Sequence, residues 1–150
     1  MIIHIDGGAR GNPGPAGFGV HVAGPDGATR DEIYGYLGTQ TNNVAEYAAL
    51  IAALRYAVAA KESTVAIRSD SELLVKQLRG EYRVKNAGLI PLYREAINLK
   101  ARIPDFSIQH VRREQNKLAD ALANQAMDTR SESPAGVTTG LPVPAAAGRK

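Results

Sequence analysis

Residues 1–17 read MIIHIDGGARGNPGPAG: a short apolar run ends on an acid, Asp6, and gives way to a cluster of glycines and prolines. Taken alone, a strand closing in an Asp-Gly turn is ordinary. The residues downstream give the run a place in a sheet. Gly17–Ala23 and Glu32–Leu37 are also strand-like, and Gly24, Pro25, Asp26 and Gly27 between them read as a hairpin turn. Met1–Ile5 thus opens an antiparallel meander of three strands. Asn43 to about Ala60, rich in Ala and Leu without Gly or Pro, reads as a helix. Thr64–Ser69 is a β-branched strand, followed by a helix over Ser71–Leu78 and another over Leu89–Ala101, with Pro91 in its first turn. Phe106–Val111 alternates as a strand that would pack His110 on the same face as Phe106 and Ile108, and Asn116–Met127 repeats Leu118, Leu122 and Ala126 on one helical face. The order βββαβααβα predicts an α/β fold, a mixed sheet with helices packed on it.

Length and composition bound the rest. The 150 residues fit one domain, with 44% hydrophobic and 22% charged residues, enough for a core without staples. There is no cysteine, which excludes disulfides, zinc-thiolate sites and a cysteine nucleophile. No apolar run is long enough to cross a bilayer and the first residues lack the pattern of a secretory signal, so a cytoplasmic location is expected. The formal charge of +3 hints at an anionic partner, but Arg130, Arg149 and Lys150 against Glu132 supply +2 of it from Thr129 onward. Any nucleic-acid contact must therefore come from local patches. From Ser131 the chain is mostly Ser, Pro, Ala, Gly, Thr and Val, and a folded domain over 1–128 with a flexible tail over 129–150 is expected.

Four acids stand at element ends or on a helix flank: Asp6, Glu46, Asp70 and Asp120. Each has an ordinary structural explanation. Glu46 is three residues after Asn43, as in a capping box. Asp70, between a strand and a helix, reads as an N-cap. Asp120 lies beside an apolar stripe, where a solvated acid is normal. Together they ask for more. If the first and fourth strands are neighbours, Asp6 and Asp70 emerge side by side, and the first long helix brings Glu46 over the same edge. Clustered carboxylates repel, and a hard divalent cation such as Mg²⁺ is the natural remedy. Two such ions, about 3.5–4 Å apart, would activate water and stabilise the leaving oxygen of a phosphodiester.

The stretches DGGARGNPGPAGFG, TNNVAEYAAL, SDSELLV and HVRREQNKLADALANQA, in this order and spacing, resemble the type 1 ribonuclease H family over roughly residues 1–128. The resemblance implies a ribonuclease H-like five-stranded mixed sheet of order 3-2-1-4-5 flanked by helices. It implies endonucleolytic cleavage of the RNA strand of an RNA/DNA hybrid by a two-metal-ion mechanism, leaving 5′-phosphate and 3′-hydroxyl ends. Asp6, Glu46, Asp70 and Asp120 would be the catalytic, metal-binding set for two Mg²⁺ ions, with Mn²⁺ as a substitute, and Glu46 would also lie near a ribose 2′-hydroxyl. Gly7 and Gly8 would let the backbone approach nucleic acid, Asn12 would add a side-chain contact, and Asn42 and Asn43 would read the RNA strand, where the 2′-hydroxyl marks RNA. Thr41 would belong to the pocket for the DNA phosphate.

Departures from the family pattern matter too. A compact segment with Lys76, Arg79, Arg83 and Lys85 replaces the long basic protrusion of larger members, so it is either a reduced hybrid-binding surface or a solvated face. Glu72 stands where many members have glutamine, and Thr39 where many have arginine. Both weaken the expected hybrid affinity. With His110 assigned to the strand, Arg113 is the candidate for product release. Nothing in the sequence points to an obligate protein partner. The competing readings are a non-catalytic nucleic-acid-binding module of the same fold and a related nuclease with another substrate.

Overall fold

The computed structural model describes residues 1–134. Its elements are β1 (Ile2–Ala9), β2 (Gly14–Ala23), β3 (Thr29–Gln40), α1 (Asn42–Ala59), β4 (Thr64–Ser69), α2 (Glu72–Leu78), α3 (Ile90–Lys100), β5 (Asp105–His110) and α4 (Lys117–Thr129), with a 3₁₀ turn over Arg113–Gln115 ahead of α4. The strands form one five-stranded mixed sheet in the order β3-β2-β1-β4-β5. The β1–β2 and β2–β3 pairs are antiparallel, whereas β4 joins β1 and β5 in parallel. This is the expected architecture.

Strand alternation explains how the two faces are used. Ile3, Ile5, Phe18, Val20, Val22 and Ile33 point to one side and are fully buried beneath Leu50, Ile51 and Leu54 of α1. α1 is buried on nearly every side because the sheet covers one flank and α3 another, which accounts for its almost continuous run of Ala and Leu. On the opposite face α4 lies across β1, β2 and β3. The turn between β2 and β3 closes with Gly27 N–H donating to Gly24 O at 2.9 Å, and Gly27 has φ +84°, a conformation that favours glycine.

The first three strands are longer than their sequence patterns indicate, and glycine is the reason. Gly7, Gly8 and Gly38 lie within strands rather than ending them, and Gly14 opens β2. Two of the sheet glycines are places where a helix backbone rests directly on the sheet. A Cβ on Gly7 would come within 2.3 Å of the Ala45 carbonyl in α1, and one on Gly19 within 2.3 Å of Ala119 O in α4. Gly7 therefore serves the contact between α1 and β1. At Gly8 the nearest atom to such a Cβ is Asn42 Oδ1 at 3.8 Å, so that position is open.

Two further expectations change. His110 is exposed, because β5 ends there and the face that buries Ile108 has no cover one step further on. The domain does not stop at residue 128. α4 runs through Thr129, and Ser133 is buried, its N–H donating to Tyr34 O at 2.9 Å and its hydroxyl accepting from Tyr34 N at 3.0 Å. Residues 135–150, most of the expected tail, lie outside the described residues.

Candidate active site

Parallel pairing fixes two of the acids. Ile5 on β1 stands opposite Ser69, the last residue of β4, so Asp6 and Asp70 are the next residues along two adjacent strands. Asp6 does not close its strand: β1 continues to Ala9 against β2, while β4 stops. The sheet splits at that point, and the acids stand at the split. Asp70 sits in a tight turn whose Ser71 N–H donates to Ser69 Oγ at 3.0 Å.

Glu46 and Asp120 arrive from helices on either side. The residues expected to give the acids ordinary capping roles do not do so. Thr41 caps α1, its hydroxyl accepting from Val44 N, and Ser71 caps α2, accepting from Leu74 N. Glu46 is thus beyond the first turn of α1, and Asp70 stands just ahead of the cap of α2; neither carboxylate is spent on a helix terminus. The neighbouring Tyr47 donates its hydroxyl to Gln77 Oε1 at 2.6 Å inside the core, which fixes α1 against α2 and holds Glu46 beside Ser71. Asp120 lies in the first turn of α4.

All four acids line one cavity of about 500 Å³. Burial, then the charge of Asp70, then a hydrogen bond with Asp120 and the charges of Asp120 and Glu46 push the Asp6 carboxyl up to about 8. Burial raises Glu46 to about 7; a hydrogen bond from Ser71 opposes the rise and the charge of Asp70 adds to it. Glu46 Oε2 is buried without a hydrogen-bond partner. Crowded hard oxygens, one of them orphaned, suit a divalent cation. As the side chains stand, no group of three or more His, Cys, Asp or Glu among the described residues is placed to hold a metal ion. The donor set fits an open site, of the kind Mg²⁺ completes with water and substrate oxygens.

The remaining expected residues divide. Gly7, Gly8, Asn12, Asn42, Asn43 and Arg113 line the same cavity. Asn42 Oδ1 accepts from Ala9 N at 2.8 Å, and Asn12 Oδ1 accepts from Asn42 N at 3.0 Å, so the β1–β2 turn is tied to the start of α1. The amide donors of both side chains have no partner among the described residues. Asn43 is exposed and does not cap. Thr41 does cap α1 and is not part of the cavity lining. Of the basic segment, Lys76 pairs with Glu72 at 3.1 Å and lies over the Tyr82 ring, and Arg79 donates twice to Ile108 O, at 2.7 and 3.1 Å. Arg83 and Lys85 are exposed.

Asn116 was legible only as the first residue of the last predicted helix, and α4 starts one residue later. It is 1% exposed, and its Nδ2 donates to Ile5 O at 2.8 Å. One buried bond thus pins the start of α4, which carries Asp120, to the residue before Asp6.

A sheet of order 3-2-1-4-5, split between β1 and β4 beneath an acid-lined cavity, is the ribonuclease H-like architecture. A family model described as "Reverse transcriptase-like" matches residues 4–126. The chain is 43% identical over 136 residues to the "Bifunctional protein Rv2228c" of Mycobacterium tuberculosis, covering 90% of this chain and 37% of that protein. It is 42% identical over 125 residues to ribonuclease HI of Halobacterium salinarum, covering 83% of this chain and 63% of that one. The chain therefore spans under two thirds of either relative. The crystal structure of the Halobacterium salinarum RNase H1 superposes with a TM-score of 0.82 at 41% identity, over 85% of this chain and 97% of that chain. LC11-RNase H1, solved in complex with an RNA/DNA hybrid, gives 0.81 at 43% identity over 86% and 97%. The chain belongs to the ribonuclease H family of enzymes, in its type 1 branch. No helix among the described residues is long and apolar enough to cross a membrane.

Proposed function

We propose that this chain cleaves the RNA strand of RNA/DNA hybrids endonucleolytically, by hydrolysis. The observation that carries the reading is the convergence of Asp6, Glu46, Asp70 and Asp120 on one cavity while Thr41 and Ser71 do the helix capping. The hybrid-bound relative of the same fold supports the substrate. In the reaction a water oxygen bonds to phosphorus, the bond from phosphorus to the 3′ oxygen breaks, and the 3′ oxygen takes a proton, leaving 5′-phosphate and 3′-hydroxyl ends.

The four carboxylates would hold two divalent cations, Mg²⁺ or Mn²⁺. The chemistry such ions supply is activation of the attacking water and charge stabilisation at the leaving oxygen. The protein's own groups do the rest. Glu46, fixed by the contact between α1 and α2, sits where a ribose 2′-hydroxyl approaches. The free amide donors of Asn12 and Asn42, with Asn43 and the chain at Gly7 and Gly8, face the minor groove, where the 2′-hydroxyl separates RNA from DNA. Arg113, on the exposed 3₁₀ turn at the cavity, assists departure of the product's 5′-phosphate.

The test is cleavage of an end-labelled hybrid in Mg²⁺, beside double-stranded RNA and DNA, with analysis of the new termini. Cleavage confined to the RNA of the hybrid and abolished in Asp70→Asn supports the proposal. Equal activity of Asp70→Asn overturns the acid assignment, and tight hybrid binding without cleavage in Mg²⁺ or Mn²⁺ makes the chain a binding module.

A further inference from the structure

A second cavity, of about 410 Å³, lies beneath the start of α4 and shares no lining residue with the acid-lined one. Its floor is made of rows that run across the sheet. His21, His4 and Arg68 stand opposite one another on β2, β1 and β4. The row behind is apolar, formed by Ala23, Ile2 and Ala66, and the row ahead contains Asp6. Successive rows on one face are about 7 Å apart, two residues along each strand. Lys117 and Leu118 of α4 form the roof, and Leu118 is 57% exposed. Neither Arg68 nor Lys117 forms a salt bridge among the described residues. Glu114 lies at the cavity wall, and Glu32, across from His21 on β3, is outside it.

We propose that this cavity binds a nucleoside monophosphate group, its phosphate on Arg68 and Lys117 and its base on the His4 imidazole between Ile2 and Leu118. A cavity of this size, mostly apolar with a few convergent polar groups, has the make-up of a small-molecule site. The guanidinium fork matches phosphate oxygens, and two cations without carboxylate partners gain from an anion that supplies the missing charge. Bases stack on imidazole as on other aromatic faces. The group has two sources, a free mononucleotide or the 5′-phosphorylated end of a strand. The site is separate from the proposed nuclease chemistry and does not rest on it.

The experiment is a titration of the whole chain in EDTA, followed by backbone amide NMR shifts. The probes are AMP, adenosine, inorganic phosphate and a short 5′-phosphorylated oligonucleotide. AMP is expected to shift the amides of Ala23, Gly27, Gln115 and Leu118 and to leave Gly7 and Asn43 in place. It should bind at least about tenfold more tightly than adenosine or phosphate, because each of those offers half the contacts. Arg68→Gln with Lys117→Gln should weaken AMP by about tenfold or more, and so should Leu118→Glu, which places a charge at an exposed position without touching the sheet. Oligonucleotide shifts at the same amides assign the strand end as a source; AMP shifts alone assign the free nucleotide. Absence of saturable AMP shifts at these amides overturns the proposal, as does unchanged affinity in the Arg68/Lys117 variant. If that variant does not fold, Leu118→Glu decides on its own.

Discussion

Replacing Gly7 with alanine puts a methyl group into the backbone of α1. The added Cβ would lie 2.3 Å from the Ala45 carbonyl and 2.6 Å from Glu46 N, and ordinary contact begins at 3.4 Å. Since neither strand backbone nor helix backbone can swing aside as a side chain does, α1 must lift by about 1 Å, the shortfall between those separations. Overpacking of that kind costs about 1–3 kcal/mol of stability. The same lift carries Glu46 away from Asp6 and Asp70, and a displacement of about 1 Å in a catalytic group lowers turnover on the order of a hundredfold. Gly8→Ala is the internal control, because its Cβ would meet nothing nearer than 3.8 Å. Urea unfolding and hybrid cleavage, run on both variants, should show Gly7→Ala destabilised and nearly inactive while Gly8→Ala keeps its stability. Wild-type stability and turnover in Gly7→Ala would refute the reasoning. A raised KM in Gly8→Ala alone would show that the open glycine is the one that admits nucleic acid.

The remaining expectations concern protons, one buried amide and one arginine. Asp6 moves up from 3.8 to about 8 and Glu46 from 4.5 to about 7 on folding, so the native protein keeps protons that the unfolded chain has lost. Without divalent cations, stability should therefore fall as pH rises from about 4 to about 8, and thermal melts in EDTA should show the slope flattened in Asp6→Asn. Added Mg²⁺ should raise the melting temperature more at pH 8 than at pH 6, because bound carboxylates must be deprotonated. Asn116→Ala leaves the buried Ile5 carbonyl unpaired and should cost about 1–3 kcal/mol in urea unfolding, with a loss of turnover as Asp120 loses its anchor. Arg79→Met should lower stability by about 1 kcal/mol while changing the KM for hybrid by less than about twofold, whereas Arg83→Ala should raise KM.

The architecture was legible because its signals are periodic: the alternation around Phe18 to Val22, the unbroken run from Asn43 to about Ala60, and the β-branched Thr64–Ser69 all survive into the structure, the helix one residue earlier at each end. Local punctuation misled. Glycine marks turns in isolated sequence, but Gly7 is set by a helix that arrives from far along the chain. Capping was misassigned by one or two residues, to Asn43 and Asp70 in place of Thr41 and Ser71, and that shift is what frees the two acids. His110 was placed by alternation, which gives a side and not a covering layer. Asn116 was read only as a helix residue, since its partner, the Ile5 carbonyl, is 111 residues away. The grouping of the acids was accessible because strand adjacency alone brings Asp6 beside Asp70.

Manganese-induced line broadening tests that grouping most directly, because Mn²⁺ replaces Mg²⁺ and broadens the amide signals near it. Titrated into the whole chain without nucleic acid, Mn²⁺ should erase the signals of Asp6, Glu46, Asp70 and Asp120 together, and Asp70→Asn should weaken the effect at all four. Broadening confined to one of these residues, or left unchanged at the other three by Asp70→Asn, would contradict a shared cation site.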